Sequence, residues 1–247
     1  METTLDSIGS LNIHQPLSGY RFSMEPVLLS SYVDLKSPGK IADFGAGSGV
    51  MGLLLAMRFK NARVMLVERQ KSLFDLCERN IEENGLTGRV EALRLDIRKM
   101  RSELSALDAV VSNPPFRKTG TGRISARGEG QCASARHEGD LTLEELCASV
   151  ARALRGRGRF YIVYHPERLV ELVDSLRAAR LEPKRMRFVH GRLGLEAKVL
   201  LLEAVRDGKP GMKVEPPLYI YREGSDDYTE ETSAMYGLWD IDGSMLR

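Results

Sequence analysis

The feature that most constrains this chain is a turn, Asp43-Phe44-Gly45-Ala46-Gly47-Ser48-Gly49. It stands between a short β-type run, residues 41–44, and an amphipathic helical pattern over residues 50–59. Glycines at alternate positions lack a Cβ, so the backbone can enter the left-handed region and a ligand can approach it closely. The helix that follows offers its unpaired N–H groups to whatever the turn holds. A strand, a turn and a helix in this order form the first half of a βαβ unit, which implies a parallel sheet covered on both faces.

The remainder of the chain keeps that alternation. Residues 63–67 read as a second strand ending at Glu68. Residues 70–84 place Leu73, Leu76, Cys77 and Ile81 at helical spacing and stop at Gly85, a C-terminal cap. Residues 90–95 make a third strand. A fourth, residues 109–112, ends in Asn113-Pro114-Pro115-Phe116, where two prolines forbid further pairing. After a loop rich in Gly and Arg, residues 117–139, Thr142 and Glu145 form a capping box, and Leu143, Leu146, Cys147, Val150 and Leu154 make an apolar stripe. Residues 159–164 are a fifth strand and Pro166 starts another helix. The β-type runs 185–189 and 198–205 are joined by a loop short enough to make them antiparallel. The 247 residues, 43% of them hydrophobic, suit one large α/β domain, residues 39–247. Residues 1–38 form an N-terminal extension of strand or loop plus helix, packed on the core.

The 36 basic and 34 acidic residues nearly cancel to +2, so no global polycation announces nucleic acid and any such surface must be local. Cys77, Cys132 and Cys147 form neither a CxxC pair nor a disulfide framework, which points to a reducing cytoplasm. No run approaches the roughly 18 apolar residues of a membrane span, so a soluble protein without a membrane partner is expected. His14, His137, His165 and His190 are scattered without ligand spacing, so no metal is expected.

The glycine turn alone leaves its cofactor open, because Gly47, Gly49 and Gly52 also satisfy a dinucleotide fingerprint, with Glu68 about 20 residues on. Asp43 tips the balance. An acid before the turn repels a pyrophosphate and attracts the ammonium of a methionine moiety, and S-adenosylmethionine (SAM) carries that ammonium. Glu68, at the second strand's end, suits two ribose hydroxyls, since a carboxylate accepts both hydrogen bonds at once. Asp96 after the third strand is an acceptor for an adenine amine, with Ile97 against the ring. Each acid alone also reads as a solvated strand end. Three acids at consecutive strand ends point to a ligand, because ligands of open α/β sheets gather at the carboxyl edge.

Asn113, Pro114, Pro115 and Phe116 carry a second chemistry. A planar amine is a poor nucleophile because its lone pair is delocalised. The Asn113 side-chain oxygen and the Pro114 carbonyl can accept both N–H groups, which localises the lone pair on nitrogen and aims it at an electrophilic methyl. No general base of unusual pKa is required, and Phe116 offers a stacking face for a flat acceptor.

Taken together, Asp43 to Gly49, Val67-Glu68-Arg69, Leu95-Asp96-Ile97 and Asn113 to Phe116 resemble the Rossmann-like SAM-dependent methyltransferases of the NPPY/F type. These modify amino groups of adenine, guanine or protein glutamine. The resemblance implies a mostly parallel seven-stranded sheet with an antiparallel last strand and helices on both faces. It also implies SAM held by Asp43, Gly45, Gly47, Gly49, Glu68, Asp96 and Ile97, with the target amine at Asn113 to Phe116. Gln15, residues 19–23, 135–138 and Tyr228-Thr229 are similar to the bacterial branch that methylates N6 of the adenine beside the anticodon of valine tRNA. Phe116 stands where many relatives carry Tyr, which removes a hydroxyl and keeps the stacking face. The implied partner is tRNA, with Tyr20, Arg21, Arg117, Lys118, Arg123, Arg127 and Arg136 as candidate RNA contacts. A second basic cluster, Arg152, Arg155, Arg157 and Arg159, reads equally as a solvated helix end.

Guanine N2 of ribosomal RNA and a protein glutamine remain alternative acceptors, although the glutamine enzymes usually carry a sizeable helical domain before this core. A nicotinamide-dependent oxidoreductase would leave Asn113 to Phe116 idle. An RNA-binding protein with a decayed site is disfavoured, because every proposed contact residue is present.

Overall fold

Alternation of buried side chains along the strands sorts the molecule into layers. The computed structural model describes residues 2–17, 23–99, 104–114 and 141–238. Its strands are β1 (Thr3–Ile8), β2 (Leu11–Pro16), β3 (Lys40–Phe44), β4 (Arg63–Glu68), β5 (Val90–Arg94), β6 (Leu107–Ser112), β7 (Leu154–Tyr164), β8 (Leu181–His190), β9 (Ala197–Arg206), β10 (Lys213–Val214) and β11 (Leu218–Tyr219). The helices among the described residues are α1 (Glu25–Tyr32), α2 (Val50–Arg58), α3 (Lys71–Glu83), α4 (Leu143–Ala153), α5 (Leu169–Ala178) and α6 (Glu230–Gly237).

The central sheet runs β5-β4-β3-β6-β7-β9-β8-β10, with β11 also pairing β8. Strands β3 to β7 pair in parallel, and β9 lies antiparallel between β7 and β8. This is the Rossmann-like sheet the resemblance implies, with two-residue strands β10 and β11 added at its edge. From β3 the chain moves outward to β4 and β5, then returns to the other side of β3 as β6. The crevice above the carboxyl ends of β3 and β6 is therefore the topological switch point where open sheets bind ligands.

Ile41, Val64, Leu66, Val111 and Tyr161 face one apolar core, shared with α1, α2, α3 and the β1–β2 hairpin. Ala42, Phe44, Met65, Val67, Val110 and Phe160 face the other, closed by α4 and α5. Alternation by two thus sends Asp43 to the α2 side, between the core residues Ile41 and Leu66. The ends of α3 and α4 follow their residues. Gly85 (φ 62°) lets its N–H reach Glu82 O and the Leu86 N–H reach Ile81 O, a Schellman cap. Thr142 and Glu145 close the expected capping box at α4.

Two expectations shift. Strand β7 starts at Leu154, directly after α4, rather than at residue 159. Leu154 pairs with Leu107 and is buried, and an apolar residue there satisfies a helix stripe and a strand equally. The basic cluster follows from this. Arg155 and Arg159 lie at the amino end of β7, where they pair with Asp108 and Glu203. That edge is opposite the crevice, so this cluster plays no part there.

Candidate active site

The crevice is built on the glycine turn. Gly45, Gly47 and Gly49 all have positive φ (77°, 61° and 88°), so each needs the freedom glycine supplies. The Gly45 and Ala46 N–H groups donate to Val67 O at 2.9 and 3.1 Å, which pins the turn to the end of β4. Gly49 packs so closely that a Cβ would meet Leu66 Cδ1 at 2.8 Å, and one on Gly52 would meet Leu66 Cδ2 at 2.1 Å. Helix α2 thus rests on the sheet at glycine distance, with its N-terminus at the turn.

Two carboxylates floor this turn. Asp43 is fully buried; its Oδ2 accepts from the Gly52 N–H at 3.0 Å, while its Oδ1 has no partner. Burial pushes the Asp43 carboxyl up to about 7; the Gly52 N–H opposes that rise and neighbouring Glu68 adds to it. Glu68 Oε2 accepts from the Gly47 N–H at 3.0 Å and its Oε1 from the Gln70 N–H at 2.8 Å. Burial also raises the Glu68 carboxyl, against the pull of those N–H groups. An orphaned oxygen and two buried acids at a glycine turn fit a cationic ligand. The dianionic pyrophosphate of a dinucleotide would meet repulsion on the same floor.

The third acid is differently placed. Asp96 is clasped by Arg98, whose Nε donates to Oδ1 at 2.9 Å, and these bonds hold its carboxyl down to about 2. It still has lone pairs for an amine. Ile97 is buried in the core against which β3 and β4 pack, so it can offer only an edge to a ring.

From the other side, β6 ends at Ser112, whose Oγ donates to Phe44 O at 2.8 Å and ties the two strand ends together. Asn113 follows at once and, with Pro26, Asp43, Gly45, Ala46, Ser48, Val50 and Met51, lines one cleft. The structure thus places Asn113 in the same cleft as the glycine turn. Pro114 lies beside it. Pro115, Phe116, Tyr20, Arg21, Arg117, Lys118, Arg123, Arg127 and Arg136 lie outside the described residues.

Sequence reasoning missed Pro26 of α1 and two side chains of α3 that hold the turn from below, Cys77 and Asn80. Cys77 Sγ donates to Gly47 O at 3.1 Å and Asn80 Nδ2 to Ser48 O at 2.8 Å. The available signal was Asn80 itself, a polar residue on the apolar stripe of α3. Among the described residues, no group of three His, Cys, Asp or Glu side chains is arranged to hold a metal, and no helix is long and apolar enough to cross a membrane.

Glu68 fastens Gly47 and Gln70 at the turn expected to hold the cofactor. Glu68→Ala should therefore weaken SAM binding and also lower Tm by roughly 4–8 °C, from about 2 kcal/mol of lost backbone bonding. Calorimetric titration beside thermal denaturation reads both; an unchanged SAM affinity in the folded variant would remove Glu68 from the site.

Residues 24–129 match the family model of the methyltransferase small domain. The tRNA1(Val) (adenine(37)-N6)-methyltransferase of Porphyromonas gingivalis is 30% identical over 213 residues, covering 82% of this chain and 81% of that protein. Among solved structures, a predicted O-methyltransferase of Agrobacterium tumefaciens shares the fold at TM-score 0.70 and 21% identity, covering 88% of this chain and 97% of that one. A geranyl diphosphate methyltransferase solved in complex with SAM superposes at TM-score 0.55 and 15% identity, covering 74% of this chain and 84% of its own. The turn, its acidic floor and these matches agree: the chain belongs to the family of the P. gingivalis relative, SAM-dependent methyltransferases, with residues 24–129 matching the methyltransferase small domain.

Proposed function

We propose that this methyltransferase transfers the methyl group of SAM to the exocyclic N6 amine of an adenine in tRNA, beside the anticodon of valine tRNA. The observation that carries the reading is that Asn113 and the glycine turn line one cleft. SAM, when bound, supplies an electrophilic methyl on a sulfonium. The Asn113 side-chain oxygen and Pro114 carbonyl accept the two N–H groups of a planar amine and present its lone pair. Asp43 and Gly45, Gly47 and Gly49 hold the methionine end, Glu68 the ribose, and Asp96 with Ile97 the adenine of the cofactor. The name borne by the P. gingivalis relative supports N6 of adenine over other amines.

In this reading Pro115 and Phe116 complete the acceptor pocket. Tyr20, Arg21, Arg117, Lys118, Arg123, Arg127 and Arg136 meet the RNA, residues 1–38 are an extension to the catalytic domain 39–247, and the enzyme works in the cytoplasm, where tRNA is. The acceptor base must leave its stack, from a loop or by flipping. The test incubates the protein with labelled SAM and unmodified tRNA, then digests the RNA to nucleosides. Label in N6-methyladenosine is expected. Label in N2-methylguanosine, or on a protein glutamine with tRNA unlabelled, overturns the acceptor assignment.

A further inference from the structure

Asn80 is completely buried, and its amide joins three segments. Its Oδ1 accepts from the His14 N–H of β2 at 2.7 Å, and its Nδ2 donates to His14 O at 3.0 Å and to Ser48 O at 2.8 Å. One turn further along α3, Asn84 repeats the strand-like half of this pattern: its Oδ1 accepts from the Asn12 N–H at 2.8 Å and its Nδ2 donates to Asn12 O at 2.8 Å. Two asparagines at i and i+4 thus act as a substitute neighbouring strand for the open edge of β2. Only Asn80 reaches on to the cofactor turn.

The bond to Ser48 fixes a peptide plane of that turn, and Cys77 fixes the one before it through Gly47 O at 3.1 Å. In a trans peptide the N–H points opposite the carbonyl. Drawing Gly47 O down toward α3 therefore aims the Ser48 N–H away from α3, toward the cleft that Ser48 lines.

We propose that Asn80 is a positioning residue that makes the β1–β2 hairpin part of the SAM site, so that docking of the hairpin and occupation of the glycine turn stabilise each other. The inference rests on the cofactor and not on the identity of the acceptor. Coupling of this kind is reciprocal. In the intact protein, adding SAM should slow hydrogen exchange at the His14 and Asn12 amides of β2 as well as in the glycine turn, and exchange on β8, toward the opposite edge of the sheet, should stay unchanged. Protection confined to the glycine turn would overturn the proposal.

A variant pair gives an independent readout. His14→Pro deletes the N–H that Asn80 accepts, whereas His14→Ala removes the same side chain and keeps that N–H. His14→Pro should bind SAM about five- to tenfold more weakly than His14→Ala, as expected for one buried hydrogen bond in the coupling path. Equal Kd values in the two variants, both folded by thermal denaturation, would reduce Asn80 to a packing residue; should His14→Pro not fold, the exchange experiment decides alone.

Discussion

Replacing Asn113 with Ala should lower kcat by roughly two to three orders of magnitude while leaving SAM affinity nearly intact, the scale seen when one positioned partner of a transition state is removed. The lone pair of a planar amine becomes available only as the new bond to the methyl forms. An acceptor for its N–H groups therefore matters more in the transition state than in the ground state, and its loss appears in kcat rather than in binding. Asn113 follows the last residue of β6, and the Ser112 to Phe44 bond that joins the strand ends does not involve its side chain. The variant should fold. Single-turnover transfer from labelled SAM to unmodified tRNA, read beside calorimetric SAM titration, separates the two quantities. Turnover near that of the unaltered protein would sink the lone-pair mechanism, and a parallel collapse of SAM affinity would mean that Asn113 serves the cofactor.

Much of the architecture is legible because each element keeps its own period. Leu73, Leu76, Cys77 and Ile81 mark α3, Gly85 its end, and the prolines after Asn113 the end of β6. The early start of β7 is not legible, because Leu154 would be buried in either a helix or a strand. Strands β10 and β11 are two residues each, too short to show any alternation.

The site divides along the same line. That Asp43, Glu68 and Asn113 meet at one edge follows from their places at strand ends. Which N–H groups those carboxylates accept does not, because Asp43 and Gly52 come together only when α2 packs at glycine distance on Leu66. The arginines of residues 152–159 teach a similar point. A charge run says nothing of which edge it occupies, and these side chains lie on the edge away from the cleft. Asn80 was visible as a polar residue on an apolar stripe, but its partners lie 66 and 32 residues away in the chain.

The second large effect concerns the charge on Asp43, and it has opposite signs for stability and for binding. The folded-state pKa of about 7 lies above the ordinary 3.8, so the stability this group contributes is fully present below 3.8 and is lost as pH rises through about 7. At pH 7.5 the ligand-free fold therefore carries an ionised carboxylate in a buried site, with Oδ1 unpartnered. Asp43→Asn removes that burden, and its amide oxygen can still accept from Gly52. The ligand-free variant should melt roughly 2–6 °C higher than the unaltered protein at pH 7.5, a difference that shrinks as pH falls and vanishes only below 3.8. For SAM the sign reverses. Its positive charge favours ionised Asp43, so below pH 7 binding expels a proton, and affinity should rise by up to about tenfold per pH unit between pH 6 and 7. Above about pH 8 the amine of SAM loses its own proton, which ends the rise. In Asp43→Asn the affinity should be at least about tenfold lower at pH 7.5 and flat from pH 6 to 7.5. Calorimetry in two buffers of different ionisation enthalpy counts the released proton directly. A pH-independent affinity in the unaltered protein, with no proton released, would show that the acid beneath the glycine turn caps α2 and does not sense the cofactor.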